Sequence, residues 1–263
     1  MKLVVADLDG TLIHSKGFSI ETLKTVKKLQ KKGVIFTIAT GRHFLTAKDY
    51  VKELDIKYPV IYSNGAYIYD HVNHNVIHQA LIDKKTALKT MKVCESNNLD
   101  FILYTVDHVY ATKKARDKLI SMIGKYEIEV LSEGDLKSSV KSGVIKILVF
   151  DSDIERIKEA RSILSQIQNV YLLQSSKNYL DIGHHSVNKG NALSILVRYL
   201  NVSLEDTMAI GDQENDIKMI QVAGVGVAMG DGNILLKNEA DYITKSFDEN
   251  GVSHAVEKYF FSE

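Results

Sequence analysis

Hydrophobic residues in the first part of the chain follow two alternating patterns. Short runs of apolar, largely β-branched residues at 3–6, 34–39 and 59–62 are typical of strands buried on both faces. Between the first two runs, apolar residues recur at helical spacing over 20–29, after Ser19, a residue type that commonly caps a helix. Strands that alternate with helices predict an α/β fold with a parallel sheet covered on both faces.

Two turn signals follow the third strand. Asn64-Gly65 is a strong turn dipeptide before a further strand at 66–69, and 73–75 is a second turn before 76–77. This stretch is therefore expected to form short hairpins beside the main sheet.

The pattern changes between residues 81 and 185. Strand-like runs follow each other directly here, at 101–105 and 109–112 and again at 170–174 and 179–182. Paired strands with short links favour an antiparallel sheet, and we expect helices on one face of it. Predicted helices lie at 83–97, 114–123 and 154–165, with a further strand at 144–150.

The alternation of strand and helix returns from residue 188. Helices are predicted over 192–200, 213–223 and 252–260, and strands over 207–210, 225–228 and 242–244. We therefore predict one α/β core built from residues 1–80 and 186–263, interrupted by an inserted α+β domain at 81–185.

Composition excludes several classes of partner. The 263 residues carry 33 Lys+Arg and 33 Asp+Glu, so no net charge attracts nucleic acid or an anionic membrane. No segment is apolar enough to span a bilayer, and charged residues interrupt the N-terminal apolar run.

The single cysteine, Cys94, has no internal disulfide partner and is expected to pack in a helix, which favours a cytoplasmic location. The sequence does not indicate the oligomeric state.

The first candidate site is Asp7-Leu8-Asp9-Gly10-Thr11, directly after the first strand. Strand alternation would direct Asp7 and Asp9 to the same side, where two like charges are costly unless a cation or a shared proton relieves them. Mg²⁺ is the simplest relief, because it takes oxygen ligands and leaves room for water and a phosphate. A plain Asp/Gly turn is the alternative.

Two other predicted strands also end in polar residues. Thr40-Gly41 follows the second strand, and Gly211-Asp212 follows a later one, with Asn215 and Asp216 just beyond. Separately these are ordinary turn or cap signals, and Lys189 at a helix start would usually be a surface lysine. Because ligands bind beyond the carboxyl ends of parallel strands, together they predict one crevice with carboxylates, a hydroxyl and a cation.

These residues resemble the four motifs of the haloacid dehalogenase superfamily, in order: DLDGT at 7–11, Thr40, Lys189 and GDQEND at 211–216. NG at 64–65, AGVGVAMG at 223–230 and ADYIT at 240–244 further resemble its Cof-type branch of cap-bearing phosphatases. The resemblance implies a Rossmann-like core with a mobile α/β cap inserted between the second and third motifs.

The resemblance also implies roles for the motif residues. Asp7 corresponds to the nucleophile that forms an aspartyl-phosphate, and Asp9 to the acid and base that serves the leaving alcohol and the water. Mg²⁺ would be held by Asp7, by the backbone carbonyl of Asp9 and by Asp212. Asp216 would orient Lys189 or a metal-bound water. Phosphoryl oxygens would be bound by the amides of Leu8 and Gly41, the hydroxyl of Thr40, and the side chains of Lys189 and Asn215.

Some positions depart from the family pattern. Ser186 stands where a glycine is common, and 230–233 differs from the usual Gly-Asn-Ala. We interpret His184 and His185 as hinge or substrate contacts rather than metal ligands, because adjacent side chains of an extended segment point in different directions. Arg42 and Tyr179 are further candidates for substrate contact.

The resulting hypothesis is a Mg²⁺-dependent phosphatase of small phosphorylated metabolites, with sugar phosphates favoured. A phosphotransferase or phosphomutase of the same superfamily is one alternative. A phosphoaspartate signalling module that does not turn over is another, against which Asp9 argues, because a long-lived acyl-phosphate gains nothing from a general base beside it.

Overall fold

The computed structural model of the protein describes residues 1–14, 17–123, 129–132 and 135–262. The chain forms two compact units. The core unit comprises Met1–Arg42, Ala47–Gln79 and Asn188–Glu263, and the middle unit comprises His43–Thr46 and Ala80–Val187. That the middle unit acts as a cap stays a prediction.

The first segment of the chain alternates strands and helices and ends in short hairpin strands. Its elements are β1 (Leu3–Ala6), β2 (Ile13–His14), β3 (Gly17–Phe18), α1 (Ile20–Lys31), β4 (Ile35–Ile38), α2 (Phe44–Glu53), β5 (Val60–Tyr62), β6 (Tyr67–Asp70) and β7 (Asn75–Gln79). Ser19 is confirmed as the N-cap of α1, since its hydroxyl accepts a hydrogen bond from the backbone N–H of Thr22 at 3.0 Å.

The middle segment contains most of the paired strands. Its elements are β8 (Ile82–Asp83), α3 (Lys84–Ser96), β9 (Phe101–Tyr104), β10 (Val109–Ala111), α4 (Lys113–Ile123), β11 (Val130–Ser132), β12 (Gly143–Val144), β13 (Lys146–Phe150), α5 (Ile154–Leu164), β14 (Val170–Ser176) and β15 (Tyr179–His184). The predicted strand at 144–150 is interrupted at Ile145, and β8, β11 and β12 were not predicted as separate strands.

The last segment returns to the core unit. Its elements are α6 (Lys189–Leu200), β16 (Thr207–Gly211), α7 (Ile217–Val222), β17 (Val225–Ala228), α8 (Ile234–Glu239), β18 (Tyr242–Ile243) and α9 (Gly251–Val256). The helix predicted at 213–223 begins as a 3₁₀ turn at Glu214–Asp216, and the closing helix ends in a π-helical turn at Glu257–Phe261. Helix α8 was missed.

The core unit is built on a five-stranded sheet in the order β18-β17-β16-β1-β4. Every pair in it is parallel, which confirms the predicted α/β class. β1 lies between β16 and β4, and all four of its residues are fully buried. The chain therefore leaves β1 at an interior position of the sheet's carboxyl edge, where ligands of such folds bind.

A smaller antiparallel sheet of β5, β6 and β7 belongs to the same unit. β5 contacts the main sheet through one parallel bridge, between Ile61 and Ala39. The segment after β5 therefore lies beside the segment after β4, at the same carboxyl edge.

The middle unit contains a six-stranded sheet in the order β11-β10-β9-β13-β15-β14, antiparallel except for the β10–β11 pair. The expectation of helices on one face is wrong. α3 and α5 pack against one side of β13 through Ile147 and Val149, whereas α4 packs on the side of Leu148 and Phe150. All residues of β13 are buried, since both of its faces are covered.

His43 is buried in the middle unit. Its Nε2–H donates to the carbonyl of Thr105 at 2.8 Å, and its Nδ1 accepts from the backbone N–H of Leu45 at 3.3 Å. This pair of partners requires the neutral ring with its proton on Nε2. Burial lowers the pKa of His43 to about 4, with the charge of Lys146 acting in the same direction and the Thr105 bond opposing it.

Cys94 lies in α3 and is fully buried, as predicted for a helix-packing residue. Over the described ranges, no helix combines the length and the apolar character that a membrane span requires.

Candidate active site

The site begins at Asp7, the first residue after β1. Its backbone N–H donates to the carbonyl of Ile210 in β16 at 2.8 Å, which continues the parallel pairing by one residue. Asp7 is 5% exposed, and its carboxylate accepts a hydrogen bond from the Lys189 ammonium at 2.7 Å. A buried carboxylate is thus held at the carboxyl end of β1, an interior strand of the sheet.

Lys189 is the first residue of α6 and is completely buried. Its ammonium donates both to Asp7 and to Asp216, the latter at 2.6 Å. Burial alone would lower the pKa of Lys189, but the two carboxylates outweigh it and the net shift is upward. The residue that sequence pattern alone would place on the surface is therefore a permanent cation between two acids.

Asp216 ends the 3₁₀ turn after β16. One oxygen binds Lys189, and the other accepts from the backbone N–H groups of Asp212 and Gln213, each at 3.0 Å. A Cβ on Gly211 would lie 2.4 Å from the Asp216 carboxyl carbon, so only glycine allows this close approach. Asp216 thus orients both Lys189 and the loop that carries Asp212.

Asp212 faces the loop after β1. Thr11 Oγ1 donates to one of its oxygens and Gln213 Nε2 to the other, both at 3.0 Å. Gly10 has a φ of +83°, and a Cβ there would lie 2.3 Å from Asp212 Oδ2. The glycine of the first motif is therefore required both by its left-handed backbone and by the carboxylate packed against it.

The three carboxylates of Asp7, Asp212 and Asp216 offer ligand atoms within 4.8 Å of one another. Burial raises the pKa of Asp7 well above its ordinary value, and Asp216 and Asp212 raise it further against the opposing Lys189. Burial and Asp216 likewise raise the pKa of Asp212. When ionised, three carboxylates face one ammonium. Such an all-oxygen set with excess negative charge fits Mg²⁺.

Asp9 lies apart from this group. β1 ends at Ala6, so strand alternation does not extend to Asp9, which occupies the following turn with half of its side chain exposed. Both oxygens accept hydrogen bonds from Arg42, at 2.8 Å from Nε and 2.7 Å from Nη2. The Arg42 guanidinium lies 4.9 Å from the Tyr50 ring. The sequence indicated Arg42 only as a substrate contact, whereas in the structure it is paired with Asp9.

The remaining predicted phosphate ligands lie around the same edge. Thr40 is completely buried, and its hydroxyl accepts from the backbone N–H of Arg42 at 3.0 Å. Asn215 Nδ2 donates to Asn64 Oδ1 at 2.9 Å, and a Cβ on Gly41 would lie 3.1 Å from that same oxygen. Leu8, the residue between the two aspartates, is buried. The sequence indicated Asn64 as a turn residue and as part of the NG motif that resembles Cof-type phosphatases, but neither signal placed its side chain in the site.

Tyr179, His184 and His185 belong to the middle unit, whereas Asp7, Lys189, Asp212 and Asp216 belong to the core unit. β15 ends at His184, so His185 is in a turn. The prediction that the two side chains point in different directions is wrong, because their rings lie next to each other. Their ring centroids are 4.3 Å apart, and His184 Nδ1 is 2.8 Å from the Ser186 hydroxyl. Burial, with the neighbouring His185, lowers the pKa of His184, and burial raises the pKa of Tyr179.

The chain is similar to known proteins over nearly its whole length. The profile of the haloacid dehalogenase-like hydrolases matches residues 4–256. Phosphatase YwpJ of Bacillus subtilis is 29% identical, with 97% of this chain and 99% of the relative covered. A 5-amino-6-(5-phospho-D-ribitylamino)uracil phosphatase of the same organism, YwtE, is also 29% identical, covering 98% of each chain.

The fold itself is shared with solved structures. A haloacid dehalogenase-like hydrolase from Bacteroides thetaiotaomicron superposes with a TM-score of 0.90 at 26% identity, covering 98% of this chain and 99% of that one.

Proposed function

The chain belongs to the haloacid dehalogenase-like hydrolase family, and on that premise we propose that it is a Mg²⁺-dependent phosphatase of small phosphorylated metabolites. The observation that carries this proposal is the buried Asp7 carboxylate, hydrogen-bonded to Lys189 beside Asp212 and Asp216. A carboxylate held in one orientation by a buried cation suits nucleophilic attack on phosphorus, since positioning and charge neutralisation are what phosphoryl transfer requires.

In the proposed reaction, one oxygen of Asp7 attacks phosphorus as the bond to the leaving oxygen breaks, giving an aspartyl-phosphate. Water then attacks the same phosphorus, the acyl-phosphate bond breaks, and Asp7 is restored with release of inorganic phosphate. Lys189 holds Asp7 Oδ1 at 2.7 Å and thereby leaves Oδ2 as the attacking atom.

Asp9 is proposed as the group that gives a proton to the leaving alcohol and accepts one from the water. Its exposed carboxylate supports this role, because a proton donor must reach the substrate. In the structure both of its oxygens are bound by Arg42. We therefore propose that Arg42 releases at least one Asp9 oxygen during turnover.

Asp7 and Asp212 would hold Mg²⁺ together with the backbone carbonyl of Asp9. Asp216 is the third carboxylate of the group, but its oxygens already bind Lys189 and two backbone amides, which supports an orienting role instead. When bound, Mg²⁺ supplies positive charge that offsets the repulsion between an anionic nucleophile and an anionic phosphate. Thr40, the amides of Leu8 and Gly41, Lys189 and Asn215 are proposed to bind the phosphoryl oxygens.

Sugar phosphates and phosphorylated sugar alcohols are the proposed substrate class. The relative YwtE, named for a substrate with a 5-phospho-D-ribityl group, supports this choice. We propose that the middle unit, including Tyr179, His184 and His185, selects among such substrates. Transfer to an alcohol instead of water stays an alternative, and a cytoplasmic location stays a prediction.

The test is turnover of an aryl phosphate with and without Mg²⁺ by the wild type and by Asp7→Asn. The amide is nearly isosteric but a poor nucleophile and a weaker metal ligand, so kcat should fall at least about a hundredfold. Asp206→Asn is the matched control, because Asp206 is paired with Lys2 just before β16, at the opposite edge of the same sheet. A variant Asp7→Asn that kept more than about a hundredth of wild-type kcat would refute the assignment.

A further inference from the structure

The turn between β5 and β6 has an unusual backbone. Ser63, Asn64 and Gly65 all have left-handed φ values, of 50°, 58° and 106°. Glycine adopts this region freely, whereas serine and asparagine do so at a cost. The Ser63 hydroxyl is also buried, with no hydrogen-bond partner in the part of the chain that the structure describes. Strain of this kind persists only where the surroundings enforce it, and it concentrates at functional sites.

The backbone of this turn is bonded to the loop after β4. The N–H of Ser63 donates to the carbonyl of Arg42, and the N–H of Asn64 donates to the carbonyl of Thr40, each at 2.9 Å. Both ends of the Thr40–Arg42 loop are therefore held by consecutive amides. An extended backbone at Ser63 and Asn64 would break this pairing, because successive N–H groups of a strand point in opposite directions.

The side chain of Asn64 reaches two further site residues. Its Oδ1 accepts from Asn215 Nδ2 at 2.9 Å and lies against Gly41, where a Cβ would be 3.1 Å away. Gly65 packs on the start of α6, since a Cβ there would lie 2.7 Å from the carbonyl oxygen of Asn188. Asn188 directly precedes Lys189 and is the N-cap of α6.

We propose that Asn64 is a positioning residue for phosphate binding. Its left-handed turn sets the Thr40–Arg42 loop, the Asn215 amide and the start of α6 in one arrangement. Asn64 acts through these groups and not on the substrate. This inference rests on the proposed function for the identity of the ligand, but its effect is on phosphate affinity and needs no turnover.

The experiment measures the Kd of inorganic phosphate by calorimetry in the presence of Mg²⁺, using the full chain. Asn64→Gly keeps the left-handed backbone and removes the amide oxygen, so Asn215 loses its partner. We expect Kd to rise about tenfold, the effect of one lost hydrogen bond. Asn64→Ala also disfavours the left-handed turn, so its Kd should rise further.

Asn201→Gly is the matched control. Asn201 is another left-handed asparagine of the core unit, at the C-terminal end of α6, with a φ of 53°. The same substitution there should leave Kd within about twofold of the wild-type value. A second readout is kinetic: with an aryl phosphate, Asn64→Gly should raise KM by a similar factor and change kcat little, as expected for lost uniform binding.

The outcomes separate the two proposals. A wild type that binds phosphate but does not hydrolyse esters would overturn the phosphatase assignment and leave the role of Asn64 to be decided by Kd. Unchanged Kd in Asn64→Gly, or an equal rise in Asn201→Gly, would overturn the positioning role. So would full additivity of Asn64→Gly with Asn215→Ala, because two groups that act through one contact must be non-additive. A wild type that does not bind phosphate would overturn both.

Discussion

Replacement of Lys189 by methionine tests how much the Lys189 ammonium stabilises the buried carboxylates of the site. Methionine keeps most of the apolar volume of the side chain, so the expected loss is electrostatic and leaves no large cavity. The ammonium is fully buried and bonds Asp7 and Asp216 at 2.7 and 2.6 Å. Its removal leaves two buried carboxylates without their cation. Loss of one partner of a buried ion pair typically lowers the free energy of unfolding by about 3–5 kcal/mol, and we expect a loss of this size here.

The assay is urea unfolding followed by circular dichroism, since the chain contains no tryptophan. Chelator is included so that no divalent cation replaces the missing charge. Adding Asp216→Asn to Lys189→Met should recover part of the lost stability, because one of the two uncompensated charges disappears. In the presence of Lys189, the same Asp216→Asn change should destabilise the protein. The difference between the two effects is the coupling free energy of the pair.

An exposed ion pair of the same length provides the control. Lys28 and Glu257 are 2.7 Å apart, but about half of each side chain is exposed. Lys28→Met should therefore cost at most about 1 kcal/mol. If Lys189→Met cost no more than Lys28→Met, or if Asp216→Asn had the same effect with and without Lys189, the reasoning from burial would be refuted.

Two further predictions follow from Asp9 and His43. Asp9→Asn should lower kcat less on an aryl phosphate with a low leaving-group pKa than on an alkyl phosphate, because an activated leaving group needs little protonation; equal losses would argue against the acid role. The pKa of His43 is about 4 in the folded protein, below the ordinary value, so the unfolded chain takes up its proton first as pH falls. The free energy of unfolding should therefore drop by about 2 kcal/mol between pH 7 and pH 5 through this residue alone. His43→Gln should remove this part of the pH dependence, measured by urea unfolding at each pH. If the pH dependence stayed unchanged in His43→Gln, the buried neutral ring would be contradicted.

Local sequence determined most elements of this protein. Apolar runs and helical spacing located the five parallel strands of the core, and Ser19 marked the start of α1, because strand and helix periodicity and N-capping depend on residues a few positions apart. The motif residues Asp7, Thr40, Lys189 and Asp212 were named from spacing and resemblance. Their order along the chain was sufficient to indicate a family and a type of chemistry.

Only the tertiary structure decided how those residues contact one another. Lys189 lies 182 positions from Asp7 and 27 from Asp216, yet its ammonium bonds both. Arg42 with Asp9 and Asn64 with Asn215 are likewise contacts between residues far apart in the sequence, and the sequence predicted neither of them. Sequence periodicity indicates which face of a helix or strand is apolar. Which side chains meet at the carboxyl edge of the sheet is decided by tertiary packing and by the burial of charge. Those interactions depend on distances that exist only after the chain has folded.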